Sequence, residues 1–199
     1  MQRLDWYVNR LRTMSAAEIA WRVSGVARDA ADRLRFALQW YPQASDVPSG
    51  TPPGLRLTDI PVGWIGVAAE PPATWRSALV RRADRLLAHR FPFFGLLDAD
   101  LGSPSEWNRD HESGRASPMS FAPAIDYRDA SSAGDAKVVW EPSRHQHLVV
   151  LARAYRATGD VRYAREVVAQ IVSWLDQSPF WRGMNWRSPL ELGIRIINW

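Results

Sequence analysis

The sequence predicts an all-α fold of antiparallel helical hairpins separated by long irregular loops. Apolar residues recur at helical spacing over 15–40, 74–89 and from 141 to the end. Capping residues stand where these periodic stretches begin and stop. Between them, 41–73 is rich in Pro and Gly, and 90–139 has little periodic pattern.

Taken in order, Met1 to Met14 holds an amphipathic turn or two, with Leu4, Trp6, Tyr7, Val8 and Leu11 among basic residues. Ser15-Ala16-Ala17-Glu18 reads as a capping box. The helix it opens runs to about Trp40, with Ile19, Val23, Val26, Ala30, Leu34 and Leu38 on one face. Arg22, Arg28, Arg33 and Arg35 would suit a membrane surface, but Glu18, Asp29 and Asp32 dilute the charge, so a docked core helix is expected. Residues 41–73 read as an irregular connector with a short strand near Leu55–Leu57 or Ile65–Val67. Thr74 is the expected cap of a helix to about His89 that buries Leu79, Ala83, Leu86 and Leu87. Phe91-Pro92-Phe93-Phe94-Gly95 reads as an aromatic turn opening a long loop held by its own aromatics. Pro142 is the expected start of a helix carrying Leu148, Leu151, Ala152 and Tyr155, closed by Gly159. Asp160 caps the next, with Tyr163, Val167, Ile171, Trp174 and Leu175 inward, and Ser178-Pro179 breaks it.

The last fifteen residues, Asn185 to Trp199, read as a loop feeding a helix. Ser188, Pro189 and Glu191 make an S-P-x-E capping box, and Leu190, Ile194 and Ile197 form an apolar stripe. Glu191 and Arg195 stand four apart in the favourable acid-before-base order. A polar loop flanked by aromatics is thus presented at a helix N-terminus, where free N–H groups attract anions. The chain stops at Trp199 without a C-cap signal, the pattern of a truncated product.

The chain of 199 residues is long enough for one sizeable core, and its charged fraction of 23% is ordinary for a globular protein. The formal charge is +4, almost all of the basic side chains are arginine, and Lys137 is the only lysine. That fits either bidentate recognition of carboxylate or sulfate, or ordinary solvated faces. Eleven tryptophans are far above normal usage; most must be core, and some can stack on sugar rings. The absence of cysteine excludes disulfides and thiolate catalysis. No apolar run reaches membrane-spanning length, and Asp5 and its polar neighbours stand where a signal peptide needs an apolar core. As written the chain would remain cytoplasmic.

No self-sufficient catalytic motif is present. His145 and His147 stand two apart, which places them on different faces of a helix and argues against a shared metal. No cofactor and no metal is expected. Trp140-Glu141-x-x-Arg144 reads either as a sugar-contacting edge or as a cap with a surface ion pair. Asn185 and Trp186, with Glu191 and Arg195, read either as part of a binding loop or as a capped helix start. Basic residues are interspersed with acidic ones, so nucleic acid is not an expected partner.

Several motifs in order carry a resemblance: Trp107-Asn108-Arg109-Asp110; Phe121; Ile125-Asp126-Tyr127-Arg128; Asp135-x-Lys137-x-x-Trp140-Glu141-x-x-Arg144-His145-Gln146-His147-Leu148; Leu151-Ala152-x-Ala154-Tyr155-x-x-Thr158-Gly159-Asp160; and Asn185-Trp186-x-Ser188-x-Leu190-Glu191-x-Gly193-Ile194-Arg195-x-Ile197-Asn198-Trp199. This series resembles the N-terminal domain of the heparinase II/III family of polysaccharide lyases. It covers about 90–199, leaving 1–89 as N-terminal helices and connector.

The resemblance implies an incomplete (α/α) toroid, followed in the family by an antiparallel β-sandwich that this chain lacks. It implies β-elimination on a uronate-containing, anionic polysaccharide. The family's carboxylate-neutralising Asn and its catalytic Tyr and His lie after the segment matching Asn185–Trp199, so no catalytic residue is expected here and this chain alone would be inactive. Candidate substrate-binding residues are Trp107, Asn108, Trp140, Glu141, Arg144, Asn185, Trp186 and Arg195. The resemblance also points to the periplasm as the alternative location, or to a role in exopolysaccharide turnover for a chain without a signal peptide. The other readings are a non-catalytic carbohydrate-binding domain and a helical interaction module.

Overall fold

The computed structural model describes residues 12–41, 72–94 and 96–199. The chain divides into two compact units, Met1–Gln43 and Ala44–Trp199. The first strand suggestions, at Leu55–Leu57 and Ile65–Val67, and the amphipathic turn before residue 12 lie outside the described residues.

In the first unit, α1 spans Ala16–Ala37, and Ser15 caps it by accepting from the Glu18 N–H. Glu18 itself pairs with Arg22 one turn on. The expectation of a docked core helix is not met: α1 has no buried residue, and Val23, Val26, Leu34 and Leu38 are exposed.

In the second unit, α2 is Ala73–Leu87. It begins after Pro72 with no side-chain cap, one residue ahead of the expected cap Thr74. Leu79, Ala83 and Leu86 are buried as the spacing predicts. The following aromatic stretch forms an antiparallel hairpin, β1 (Arg90–Phe93) and β2 (Leu96–Asp100), rather than only a turn. Phe91 and Phe93 alternate inward, the period-2 pattern of a strand too short to stand out in the sequence.

A short helix α3 (Ala130–Ala133) leads to α4 (Ala136–Ser143), capped by Asp135 accepting from Lys137 N–H. Pro142, expected to begin a helix, instead sits in the last turn of α4. His145 then takes a left-handed conformation (φ 60°), and α5 (Gln146–Thr158) starts after it. Gly159, at φ 73°, closes α5, and Asp160 caps α6 (Val161–Gln177). These C-cap and N-cap assignments follow the sequence reading. The inward faces shift slightly. On α5 the buried residues are Leu148, Leu151 and Ala154, while Ala152 and Tyr155 are exposed. On α6, Tyr163, Gln170 and Trp174 are buried and Leu175 is exposed.

The main core joins Leu79, Leu86, Phe91, Trp107, Leu151 and Trp174, so α2, the hairpin, α5 and α6 share one interior. A second core gathers Ile125, Ala133, Ala136, Val139, Trp140 and Met184, with Tyr127 packed on it. The last helix, α7 (Pro189–Asn198), reverses the expected amphipathicity. Glu191 and Arg195 are buried, whereas Leu190, Ile196 and Ile197 are exposed. The fold of the described residues is mostly helical, with one two-stranded sheet.

Candidate functional site

The predicted residues converge on the α4–α5 junction and the turn at Gly183–Arg187. The left-handed His145 separates α4 from α5, and Arg144 is half-buried beside the fully buried imidazole. Gly183 has φ 80° and ψ 173°, a region open essentially to glycine, and a Cβ there would meet the Met119 sulfur at 2.9 Å. That turn delivers Met184, Asn185 and Trp186 as one 3-10 turn and sends the chain into α7.

Arg144 is the centre of charge. Its Nε and Nη2 donate to the two Glu191 oxygens at 2.7 and 2.9 Å, and Nη1 donates to Glu141. The Glu191 side chain is only 2% exposed, against 22% for Arg144 and Glu141. The hydrogen bonds to Glu191 hold the Arg144 guanidinium above its ordinary pKa, against the opposing effect of burial. The expected capping box is therefore not made. Glu191 spends both oxygens on Arg144, and Ser188 makes no side-chain cap bond. Arg195 does not pair with Glu191; its Nε donates to Ser143 O at 2.8 Å and its Nη2 to Asn185 O at 3.3 Å. The Arg195 guanidinium lies 4.0 Å from the Trp174 ring centre, and burial lowers its pKa to about 10, so it stays charged at neutral pH.

Asn185 Nδ2 donates to Trp107 O and to Asn108 Oδ1, both at 3.1 Å. Asn108 Nδ2 donates to Gln177 O at 2.7 Å. Trp107 is wholly buried, with Nε1 donating to Ser173 Oγ. Trp140 is 9% exposed and donates to Met184 O. Trp186 is half-buried, donates to Ser178 O and packs its ring against Trp174 and Phe180. Side-chain hydrogen bonds join Trp107, Asn108, Asn185, Trp186 and Arg195 through Ser143 and Ser178, whereas Arg144, Glu141 and Glu191 form a separate ionic group and Trp140 bonds Met184 O alone. Trp107, Asn185 and Arg195 are buried ties between chain segments. Glu141, Arg144, Asn108 and Trp186 retain partial access to solvent.

The two histidines do approach each other, with ring centres 5.7 Å apart. Trp199 Nε1 donates to His145 Nδ1, so the His145 proton sits on Nε2, which has no hydrogen-bond partner. Burial lowers the His145 pKa to about 2 and the His147 pKa to about 4. His147 Nε2 donates to Gln170 Oε1, a bond that works against the burial. No group of side chains able to hold a metal is found among the described residues. An open depression bounded by Arg82, Phe91, Phe93, Glu141 and His147 encloses about 60 Å³, far below the roughly 300–1,000 Å³ of a ligand pocket. It is at most an edge of a saccharide site.

What local spacing did not disclose was Glu191 as the partner of Arg144, and the anchors Ser173, Gln177 and Ser178. Apart from the Trp186–Ser178 bond, which spans eight residues, these pairings are long-range in sequence.

A mostly helical domain with a polar seam at the mouth of its last helices is the class that fold and site define. The model of the heparinase II/III N-terminus matches residues 83–199, more than half of the chain. The chain belongs to the heparinase II/III family of polysaccharide lyases through this N-terminal region. No curated protein and no solved structure matches it. No described helix is long and apolar enough to cross a membrane.

Proposed function

We propose that this chain is the N-terminal part of a lyase that cleaves a uronate-containing anionic polysaccharide by β-elimination. Its part in that enzyme is helical scaffold and one wall of the substrate cleft. The family match across 83–199 carries the reading. Exposed Leu190, Ile196 and Ile197 on α7, with Val168 and Val172 on α6, suit a helical toroid whose further helices pack there. An antiparallel β-sandwich would follow in the same protein.

In β-elimination the C5 proton beside the uronate carboxylate is abstracted while the glycosidic oxygen at C4 departs. Positive or hydrogen-bonding groups must neutralise the carboxylate so that the enolate-like charge can form. A base of matched pKa must reach the proton. His145, His147 and Tyr163 do not fill that role. His145, at about 2, is far too weak a base and is enclosed by rings. His147 is committed to Gln170. The Tyr163 hydroxyl donates to Asp84 and is pushed up to about 12 by burial. The base, the acid and the carboxylate-neutralising Asn are proposed, on the family resemblance alone, to follow the segment matching Asn185–Trp199. The proposed contacts on this side are the partly exposed Arg144 and Glu141, held by Glu191, and the partly exposed Asn108 and Trp186.

The test is ultraviolet absorbance of unsaturated uronate released by the full-length protein from a panel of polyanions. An increase with at least one uronate polymer is expected; no increase with any of them overturns the lyase reading.

A further inference from the structure

We infer that Tyr127, Arg128 and Arg187 form a carboxylate-binding platform for an acidic sugar chain, apart from the Arg144 network. The ligand assignment rests on the proposed uronate substrate; the platform itself rests on geometry. The Arg128 and Arg187 guanidinium carbons lie 5.4 and 5.2 Å from the centre of the same Tyr127 ring. The sum of those distances is the upper bound on their separation.

The ring is a fixed base. Tyr127 sits 5.6 Å from the Trp140 ring centre, and Trp140 is itself pinned to Met184 O at 2.8 Å. Arg187 is oriented by its Nε, which donates to Ile125 O. A guanidinium beside an aromatic ring can still grip a carboxylate bidentately through its remaining N–H groups.

Neither guanidinium has a carboxylate partner among the described residues, whereas Arg85, Arg109, Arg144 and Arg162 each do. The nearest acids in sequence are engaged locally. Asp126 accepts from the Arg128 backbone N–H, and Asp129 accepts from Ser131. Other unpaired arginines, such as Arg81, Arg153 and Arg165, stand singly on helices with no ring beneath them. Two guanidiniums without a carboxylate partner sharing one aromatic base set this place apart. It selects a polymer with repeated carboxylates over a neutral glucan.

The test uses the full-length protein with an alginate tetrasaccharide as probe and cellotetraose as the neutral control. Affinity is read as KM where the probe is cleaved and as Kd where it is not. Arg128→Gln is the deciding variant, because the Arg128 side chain makes no structural hydrogen bond. Arg187→Gln, checked for an unchanged melting temperature, is the second, and Arg153→Gln is the control. Loss of one guanidinium contact should weaken the alginate probe roughly tenfold in each platform variant and leave Arg153→Gln unchanged. Wild-type affinity in Arg128→Gln, or equal binding of cellotetraose, overturns the platform. Cleavage with unaltered KM in Arg128→Gln would sink the platform and spare the lyase reading. Arg128-dependent binding without any unsaturated product would uphold the platform and sink β-elimination.

Discussion

Replacing Arg144 by Met should destabilise the protein by about 3 kcal/mol, the lower end of the range for stripping one partner from a buried ion pair. The reason lies in Glu191. Its side chain is 2% exposed, and both its oxygens accept from Arg144 at 2.7 and 2.9 Å. Without the guanidinium, a desolvated carboxylate would remain without those bonds. The lower end applies because the Arg144 side chain is 22% exposed and water can enter from that side. For a domain of this size the loss corresponds to a fall of roughly 6–12 °C in Tm. Glu141→Gln should cost under about 1 kcal/mol, because Glu141 is as exposed as Arg144 and behaves as a surface partner. The double variant Arg144→Met with Glu191→Leu should regain most of the loss, since a buried pair replaced by apolar groups leaves no stranded charge. Calorimetric melting of the full-length protein and its variants gives these values. A fall below about 1 kcal/mol for Arg144→Met, or a double variant no more stable than the single, would refute the claim that Glu191 is held in a dry interior.

Acid should destabilise the fold well above the range where carboxylates titrate. The unfolded chain protonates its histidines near 6.5, but burial delays His147 to about 4 and His145 to about 2. Between these values the unfolded state binds more protons, so the stabilisation is complete above pH 6.5 and is lost as pH falls, by roughly 1.4 kcal/mol per pH unit for each ring. Denaturant midpoints at pH 7, 5.5 and 4.5 should show that slope, reduced in His147→Gln; a flat profile contradicts the burial of both rings. Gly134→Ala should cost roughly 1–3 kcal/mol, measured by urea unfolding. Gly134 has φ 77°, and an added Cβ would meet Asp110 Cβ at 2.8 Å. Asp110 is buried, and the Ser113, Asp135 and Glu112 donors to its carboxylate outweigh the upward push of that burial. A neutral Gly134→Ala would show that this loop can shift aside.

The elements legible in the sequence were those set by neighbours in the chain. Ser15 and Asp160 cap helices through N–H groups two or three residues on, and Gly159 needs only its own left-handed φ. α4 was hidden because Val138, Val139 and Trp140 favour strands and Pro142 imitates a helix start, while Asp135 caps from outside that run. The Phe91 and Phe93 hairpin was too short for its alternation to register. At the candidate site the family resemblance singles out Trp107, Asn108, Trp140, Glu141, Arg144, Asn185, Trp186 and Arg195 as candidates. It does not give their depth. Glu191 and Arg195 have the spacing of a surface pair, and only the distant Arg144 and Ser143 O explain why α7 turns its charges inward. Tyr127 and Arg128 stand together in one of the motifs that carry the resemblance, but Arg187 meets them only in three dimensions.

The ties between Trp107 or Asn108 and residues 173–185 carry a consequence for biosynthesis. Trp107 Nε1 and Asn108 Nδ2 find their acceptors 66 and 69 residues later, and Asn185 reaches back 78 residues to Trp107 O. At 5–20 residues per second, the ribosome needs roughly 4–16 s to pass from Trp107 to Asn185. Through that interval the indole of Trp107 has no finished interior to enter, so the nascent polypeptide is most open to misassociation, and most in need of a chaperone, before Asn185 is made.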